Sequence, residues 1–195
     1  MLPNDAILSA DGRYRYVLSR RLPGVDPYSP TPRICLWGMV NPSTADATAN
    51  DHTIRKITGY CARWGFTRFR VVNLYAYRSK DIDLLSFLEK QDAMSASLVG
   101  VKTFPPTDIV GPDNDRHIRE QAVFASEIIV AWGARAKMPP SAKERIPHVL
   151  GLLRGATLGV IPRVAPIFCI GRTKSGDPKH PLTTPYTAAR ERFDE

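Results

Sequence analysis

Cysteine is scarce in this chain, with only three residues, Cys35, Cys61 and Cys169, among 195. They are far apart in sequence and show none of the spacings typical of zinc sites or redox pairs. Because their number is odd, they do not predict a disulfide framework. We therefore expect free thiols and a reducing, cytoplasmic environment.

Long apolar runs are also missing. No stretch approaches the roughly 20 residues that a membrane-spanning helix needs, so no membrane association is expected. Residues 1–5 are not a basic segment followed by an apolar one, so a signal peptide is not expected. The phosphate-binding, dinucleotide-binding and nucleophile-elbow motifs are absent, as are internal repeats. Histidine spacing suggests no zinc site, and neither metal nor cofactor is predicted.

Positive charge is plentiful: 27 lysines and arginines against 19 acidic residues give a formal net charge of +8. Such an excess favours a polyanionic partner, so nucleic acid or a nucleotide is expected, although many basic chains bind neither. A hydrophobic content of 43% and a charged content of 24% are ordinary for a globular protein. The length suits a single domain over residues 1–195.

Strand patterns alternate with helical patterns from residue 34 onward. This order favours parallel βαβ units, and we expect a three-layer α/β/α domain with a central, mainly parallel sheet. Residues 91–107 are predicted to be mostly loop. Strands are predicted at 14–18 (with an edge position as one alternative), 34–40, 68–75, 127–131 and 167–170. Helices are predicted from 51 or 53 to a glycine at 65, around 82–88, from 114, and at 141–153.

The stretch from Trp37 to Asp46 places small polar residues directly after a buried strand, where open α/β sheets bind ligands. Asn41 can position a water or read an amide edge, or it is a turn residue that bonds its own backbone. Ser43 can donate to a ligand or cap a turn. Asp46 and Asp51 can each activate a water, although a helix N-cap is the favoured reading of Asp51.

Asn73 interrupts an apolar run that should be buried, and a buried amide needs hydrogen-bond partners. Those partners are either a ligand, such as a nucleobase edge, or neighbouring backbone. Trp132 and Gly133 follow another strand, where they line a site or simply fill the core and form a turn. Because the ends of parallel strands share one edge of the sheet, we expect these residues to lie close to Asn41.

The loop at residues 171–182 is rich in glycine, proline and positive charge. Arg172, Lys174 and Lys179 can hold phosphates. His180 can donate to an oxyanion, or it is an ordinary exposed histidine. The other histidines fall in helical or helix-entry patterns and are predicted to be structural: His52, His117 and His148.

Six blocks of the chain, in order, resemble the uncharacterised bacterial and phage family DUF1643, a resemblance that implies no established activity. They lie at residues 14–18, 41–46, 51–55, 72–76, 131–133 and 176–182.

A more distant resemblance connects four strand ends to the uracil-DNA glycosylase superfamily. Residues 38–42 are similar to the Gly-Ile-Asn-Pro motif of its mismatch-specific branch, with one residue extra. The other matches, in the same order, are 71–73, 130–133 and 180–182. The water-activating Asp of the Gly-Gln-Asp-Pro-Tyr motif is absent, no serine follows Pro181, and only Leu182 stands near the position of the family's leucine wedge.

This resemblance implies a hydrolase that releases a base from nucleic acid or a nucleotide. Asn41 would position water with Asp46 as helper, and His180 would stabilise charge on the departing base. A non-catalytic nucleic-acid- or nucleotide-binding module on the same fold is the alternative, favoured by the missing Asp-Pro-Tyr motif. Base contacts would come from Ser43, Asn73, Tyr75 (or Tyr77), Trp132 and Gly133, and phosphate contacts from Arg172, Lys174 and Lys179.

Overall fold

The computed structural model describes residues 4–26, 31–43, 50–99, 108–155, 157–158, 161–162 and 165–193. Its strands are β1 (Asn4–Leu8), β2 (Arg15–Arg21), β3 (Ile34–Met39), β4 (Arg68–Asn73), β5 (Glu127–Val130), β6 (Thr157–Leu158), β7 (Ile161–Pro162), β8 (Ile167–Cys169) and β9 (Glu191–Arg192). Its helices are α1 (His52–Arg63), α2 (Ile82–Val99), α3 (Asn114–Val123) and α4 (Ala142–Arg154).

Seven strands of the described chain form one mixed sheet in the order β1-β2-β4-β3-β5-β8-β9. The four central strands, β4, β3, β5 and β8, run parallel to one another. The outer pairs are antiparallel: β1 with β2, β2 with β4, and β8 with β9. The sequence predicts a mainly parallel sheet, and this prediction is corrected: the fold is α/β, but its sheet is mixed, because antiparallel strands extend both sides of the parallel centre.

The sheet has an apolar cluster on each face, because successive strand residues point to opposite sides. Leu36 packs with side chains of α3 and α4, including Ile118 and Leu150. Trp37, the next residue along β3, packs instead with α1 residues such as Ile57. The three cysteines are free thiols, as the sequence predicts, and all three are buried.

Helix α1 forms as the sequence predicts. Asp51 caps it, since one carboxylate oxygen accepts the N–H of Ile54 at 2.8 Å. Ile54, Ile57 and Cys61 are buried along one side. The chain leaves the helix through Gly65, whose φ of +70° is in the left-handed region that favours glycine.

One prediction about local structure is wrong. Helix α2 continues to Val99, so the loop predicted from residue 91 is helical up to that point, while residues 100–107 lie outside the described chain. The strand predicted at 14–18 is present as β2, and its edge position, left open by the sequence, is excluded because β1 pairs with the outer side of β2. The sequence of β1 alternates too little to mark it as a strand.

The described residues include no helix that is both long and apolar enough to cross a membrane.

Candidate nucleotide-binding cavity

A cavity of about 630 Å³ lies where the parallel strands β3, β4 and β5 end. This volume is within the range of about 300–1,000 Å³ typical of small-molecule sites. The cavity brings together seven of the residues that the sequence identifies: Asn41, Ser43, Asn73, Trp132, Gly133, Lys179 and His180. They come from separate stretches of the chain and lie together because the parallel strands end at the same edge of the sheet.

Asn73, the last residue of β4, contributes a buried amide to the cavity. Its relative exposure is 1%, and neither Nδ2 nor Oδ1 has a hydrogen-bond partner in the described chain. An unpaired buried amide costs about 1–3 kcal/mol. The sequence leaves two possible partners open, a ligand or the neighbouring backbone, and the side chain makes no hydrogen bond to the backbone. Both groups lack a protein partner, on a residue that lines the cavity.

Trp132 presents a second unpaired donor in the cavity wall. Its indole Nε1 is buried and has no hydrogen-bond partner among the described residues. The ring itself packs edge-on against Phe193, with the ring centroids 5.7 Å apart. Trp132 therefore fills the core as well as lining the cavity, so the two readings of this residue are compatible.

Asn41 is oriented by the backbone around it. Its Nδ2 donates to the carbonyl oxygen of Ser79 at 2.8 Å and to that of Pro42 at 3.3 Å. The amide nitrogen is therefore committed to the protein, and Oδ1 is the group that can accept a hydrogen bond from a molecule in the cavity. This arrangement suits an acceptor that holds a water.

His180 has a defined donor. Its Nδ1 accepts the backbone N–H of Leu182 at 3.3 Å, so in the neutral ring the proton is on Nε2. Burial lowers the pKa of His180 below its ordinary value, while the charge of Asp51 acts in the opposite direction. The ring is consequently neutral near pH 7. Gly133 lies against it, since a Cβ added to this glycine would be 3.6 Å from the Cβ of His180.

The loop before His180 is fastened to the segment that follows β5. The carboxylate of Asp177 accepts hydrogen bonds from the Arg135 backbone N–H at 2.9 Å, from Arg135 Nε at 3.0 Å and from Ser175 Oγ at 2.9 Å. A backbone bond from Gly133 to Pro178, 2.8 Å long, adds a further connection. These contacts fix the position of His180 relative to the end of β5.

Positive charge dominates the described lining of the cavity. The lysines are Lys80, Lys137 and Lys179, and the arginine is Arg15, whose relative exposure is only 3%. Asp51 is the one acidic residue of the described lining. An anionic ligand is therefore favoured electrostatically.

Some predicted site residues do not reach the cavity. Tyr75 is fully buried, and its hydroxyl bonds to Ser141 Oγ at 2.9 Å, just before α4. The half-buried Tyr77 pairs with Tyr14 instead. Neither tyrosine lines the cavity, so neither stacks on a base there.

Two of the predicted phosphate ligands also lie elsewhere. The Arg172 guanidinium packs over the Phe193 ring at 4.5 Å, and Lys174 is exposed at the tip of the loop. Neither lines the cavity, whereas Thr173 and Lys179 do. An isolated antiparallel β-bridge between Arg172 and Pro178 shows that the loop folds back on itself. Its basic side chains therefore do not all point to the cavity. Asp46 lies outside the described residues.

Sequence reasoning missed Arg15 and Lys80 and assigned His52 a purely structural place, yet all three line the cavity. Arg15 lies on β2, which pairs antiparallel with β4, whereas the predicted site includes only residues that follow parallel strands. Among the residues that the structure places, no cluster of three histidine, cysteine or acidic side chains could hold a metal ion.

Comparison with known proteins gives one match. The model of a family described as "Protein of unknown function (DUF1643)" matches residues 15–182. No curated protein and no solved structure matches the chain. The matched range contains every cavity residue discussed above.

Proposed function

The chain belongs to the DUF1643 family, and from the geometry of its cavity we propose that it is a nucleobase glycosylase-like hydrolase acting on nucleic acid or a nucleotide. The observation that carries this proposal is the unpaired, buried amide of Asn73 in a cavity shared with Asn41 and His180.

Base recognition is assigned to Asn73. A carboxamide with both its donor and its acceptor available pairs with a base edge that presents an acceptor beside a donor. A site with buried polar groups rejects ligands that cannot satisfy them. Trp132 Nε1 would supply one further donor toward the bound base.

Bond cleavage is assigned to a water held by Asn41 Oδ1. The water oxygen forms a new bond to the sugar C1′, and the C1′–N bond breaks with its electron pair leaving on the base. The proton that the water loses passes to solvent. His180 Nε2–H donates to the carbonyl oxygen on which charge develops, which is the type of stabilisation that preorganised donors provide.

The layered glycosylase-like fold is part of the proposal. Helix α1 packs on one face of the sheet, and α3 and α4 pack on the other. Each of the four segments that resemble the glycosylase motifs contributes at least one residue to the lining of this cavity. Both features support a common architecture.

The proposal is tested by measuring release of free base from oligonucleotides and mononucleotides that contain uracil, hypoxanthine or an alkylated base. We expect release by the wild type and a loss of about 100-fold in kcat for His180→Ala, since one oxyanion donor is removed. Lys143→Ala, at an exposed position on α4, is the matched control and should retain full activity. Absence of release across this panel would overturn the enzymatic proposal for these substrates.

A non-catalytic nucleotide-binding module is the second candidate. It is favoured by the role of Asp51, the one carboxylate in the described lining, because one of its oxygens caps α1 by accepting the N–H of Ile54. Nucleotide binding by calorimetry, without base release under the same conditions, would favour this module.

A further inference from the structure

The amino-terminal end of α1 opens into the same cavity as Asn73. Asp51, His52, Thr53 and Ile54 all line it. The Ile54 N–H is taken by the Asp51 carboxylate, and the Arg55 N–H by the Asp51 carbonyl. No described residue accepts the backbone N–H of His52 or of Thr53.

These two N–H groups, at the start of a 12-residue helix and without an acceptor among the described residues, are suited to an anion. Backbone donors and the positive end of the helix dipole act together at such a position. The Asp51 carboxylate opposes an anion there, but Lys80, Lys137 and Lys179 line the cavity too and outweigh its charge.

The unpaired amide of Asn73 is an independent sign that this cavity receives a ligand, because such a group is costly to leave unpaired. An amide suited to a base edge and donors suited to an anion thus share one cavity of about 630 Å³. A nucleoside phosphate combines both chemistries in one molecule.

We propose that the N-terminus of α1, through the N–H groups of His52 and Thr53 and aided by Lys179, is the phosphate subsite for a base-bearing sugar phosphate. This site replaces Arg172 and Lys174, which lie outside the cavity. It rests on the proposed function only for the identity of the base-bearing ligand. The anion subsite itself does not require that the protein cleaves a bond.

The first test needs no variant. Inorganic phosphate is titrated into the ¹⁵N-labelled protein, and saturable shifts are expected at the His52 and Thr53 amides. Deoxyuridine 5′-monophosphate should bind about tenfold more tightly than deoxyuridine, as expected for charge-assisted hydrogen bonds. Equal affinity of the nucleoside and its monophosphate, or shifts confined to other residues, would overturn the subsite.

The second test removes one N–H group. His52 is the first helical residue, where proline is well tolerated, and the extended ψ of 179° at Asp51 suits a following proline. In His52→Pro the ratio of monophosphate affinity to nucleoside affinity should fall several-fold. His52→Ala removes the ring but keeps the N–H, so it should lose much less of this preference than His52→Pro. Full preference in His52→Pro, or equal losses in both variants, would contradict the assignment.

The source of the phosphate is distinguished by a single-stranded oligonucleotide that carries one internal deoxyuridine. Tighter binding of this oligonucleotide than of the monophosphate assigns the subsite to nucleic acid, and the reverse assigns it to a free nucleotide. Phosphate-dependent binding without base release leaves the subsite intact and removes the hydrolase. Base release at equal rates from deoxyuridine and its monophosphate would support the hydrolase and overturn the subsite.

Discussion

The side-chain amide of Asn114 holds the backbone of Asn73: its Nδ2 donates to the Asn73 carbonyl oxygen at 3.0 Å and to that of Leu74 at 3.2 Å. Arg145 Nε also donates to the Leu74 oxygen, at 2.7 Å. The strand end that carries the proposed base-reading residue is thus fixed by side chains from α3 and α4, on the side of the sheet opposite α1.

Replacing Asn114 with alanine should impair both stability and ligand binding. Two buried carbonyl oxygens lose a donor, which we expect to lower the free energy of unfolding by about 1–3 kcal/mol. Because the Asn73 backbone is then less constrained, nucleotide affinity should fall as well. The measurements are urea denaturation and calorimetric titration.

The control for this prediction is Gln121→Ala on the same helix. It removes the bond from Arg70 Nη1 to Gln121 Oε1, 2.7 Å long, without touching the end of β4. It should destabilise the protein and leave affinity unchanged. An equal loss of affinity in both variants would show that Asn114 acts only through general stability.

Replacing Asn73 with leucine should stabilise the protein and abolish nucleotide binding. Leucine has a similar size and removes an unpaired buried amide, so we expect a gain of about 1 kcal/mol in unfolding free energy. Such a trade of stability for function is typical of binding sites. If Asn73→Leu is instead markedly less stable than the wild type, the amide has partners and our reading of it is wrong.

His180 should titrate below its ordinary pKa of 6.5, because burial disfavours the charged ring. The native state therefore binds fewer protons than the unfolded state, and stability should fall as pH drops from 6.5 through the folded pKa. An NMR titration of the imidazole checks the direction. In Asp51→Asn the pKa should fall further, since the carboxylate raises it. A midpoint above 6.5 would contradict a lowered pKa and a neutral ring.

Asp177 should contribute stability that depends on its charge. Burial raises the pKa of this carboxyl, but the hydrogen bonds from Arg135 and Ser175 lower it more, so the net direction is below 3.8. Its contribution is present above pH 3.8 and is lost as pH falls through the folded pKa. Asp177→Asn should therefore reduce Tm at pH 7, and the difference from the wild type should shrink below pH 4. A Tm difference that is independent of pH would contradict this origin.

The sequence predicts the centre of this fold better than its borders. The parallel strands and α1 follow from apolar runs, a cap and a glycine, all of which are local signals. Strand β1 and the far half of α2 lack such signals. Strand β1 is placed by its pairing with β2. In α2 the apolar residues Phe87 and Met94 are exposed, so the sequence shows no single apolar face that would indicate a helix.

The candidate site was predictable where its residues follow parallel strands, as Asn41 and Asn73 do. Arg15 was not, because an antiparallel neighbour brings it to the cavity from the opposite chain direction. Lys179 lines the cavity and Arg172 and Lys174 do not, because the loop turns back between them. That turn depends on the contact between Asp177 and Arg135, which connects residues 42 positions apart.

The orientation of Asn41 also restricts how this protein could evolve. Its Nδ2 lies between two carbonyl oxygens, so an aspartate at this position would place a carboxylate oxygen against like partial charges. That repulsion would turn the carboxylate away from both carbonyl oxygens. An aspartate at position 41 therefore does not keep an acceptor where Asn41 Oδ1 lies now. Placing a carboxylate base there would also require a rearranged turn at Ser79.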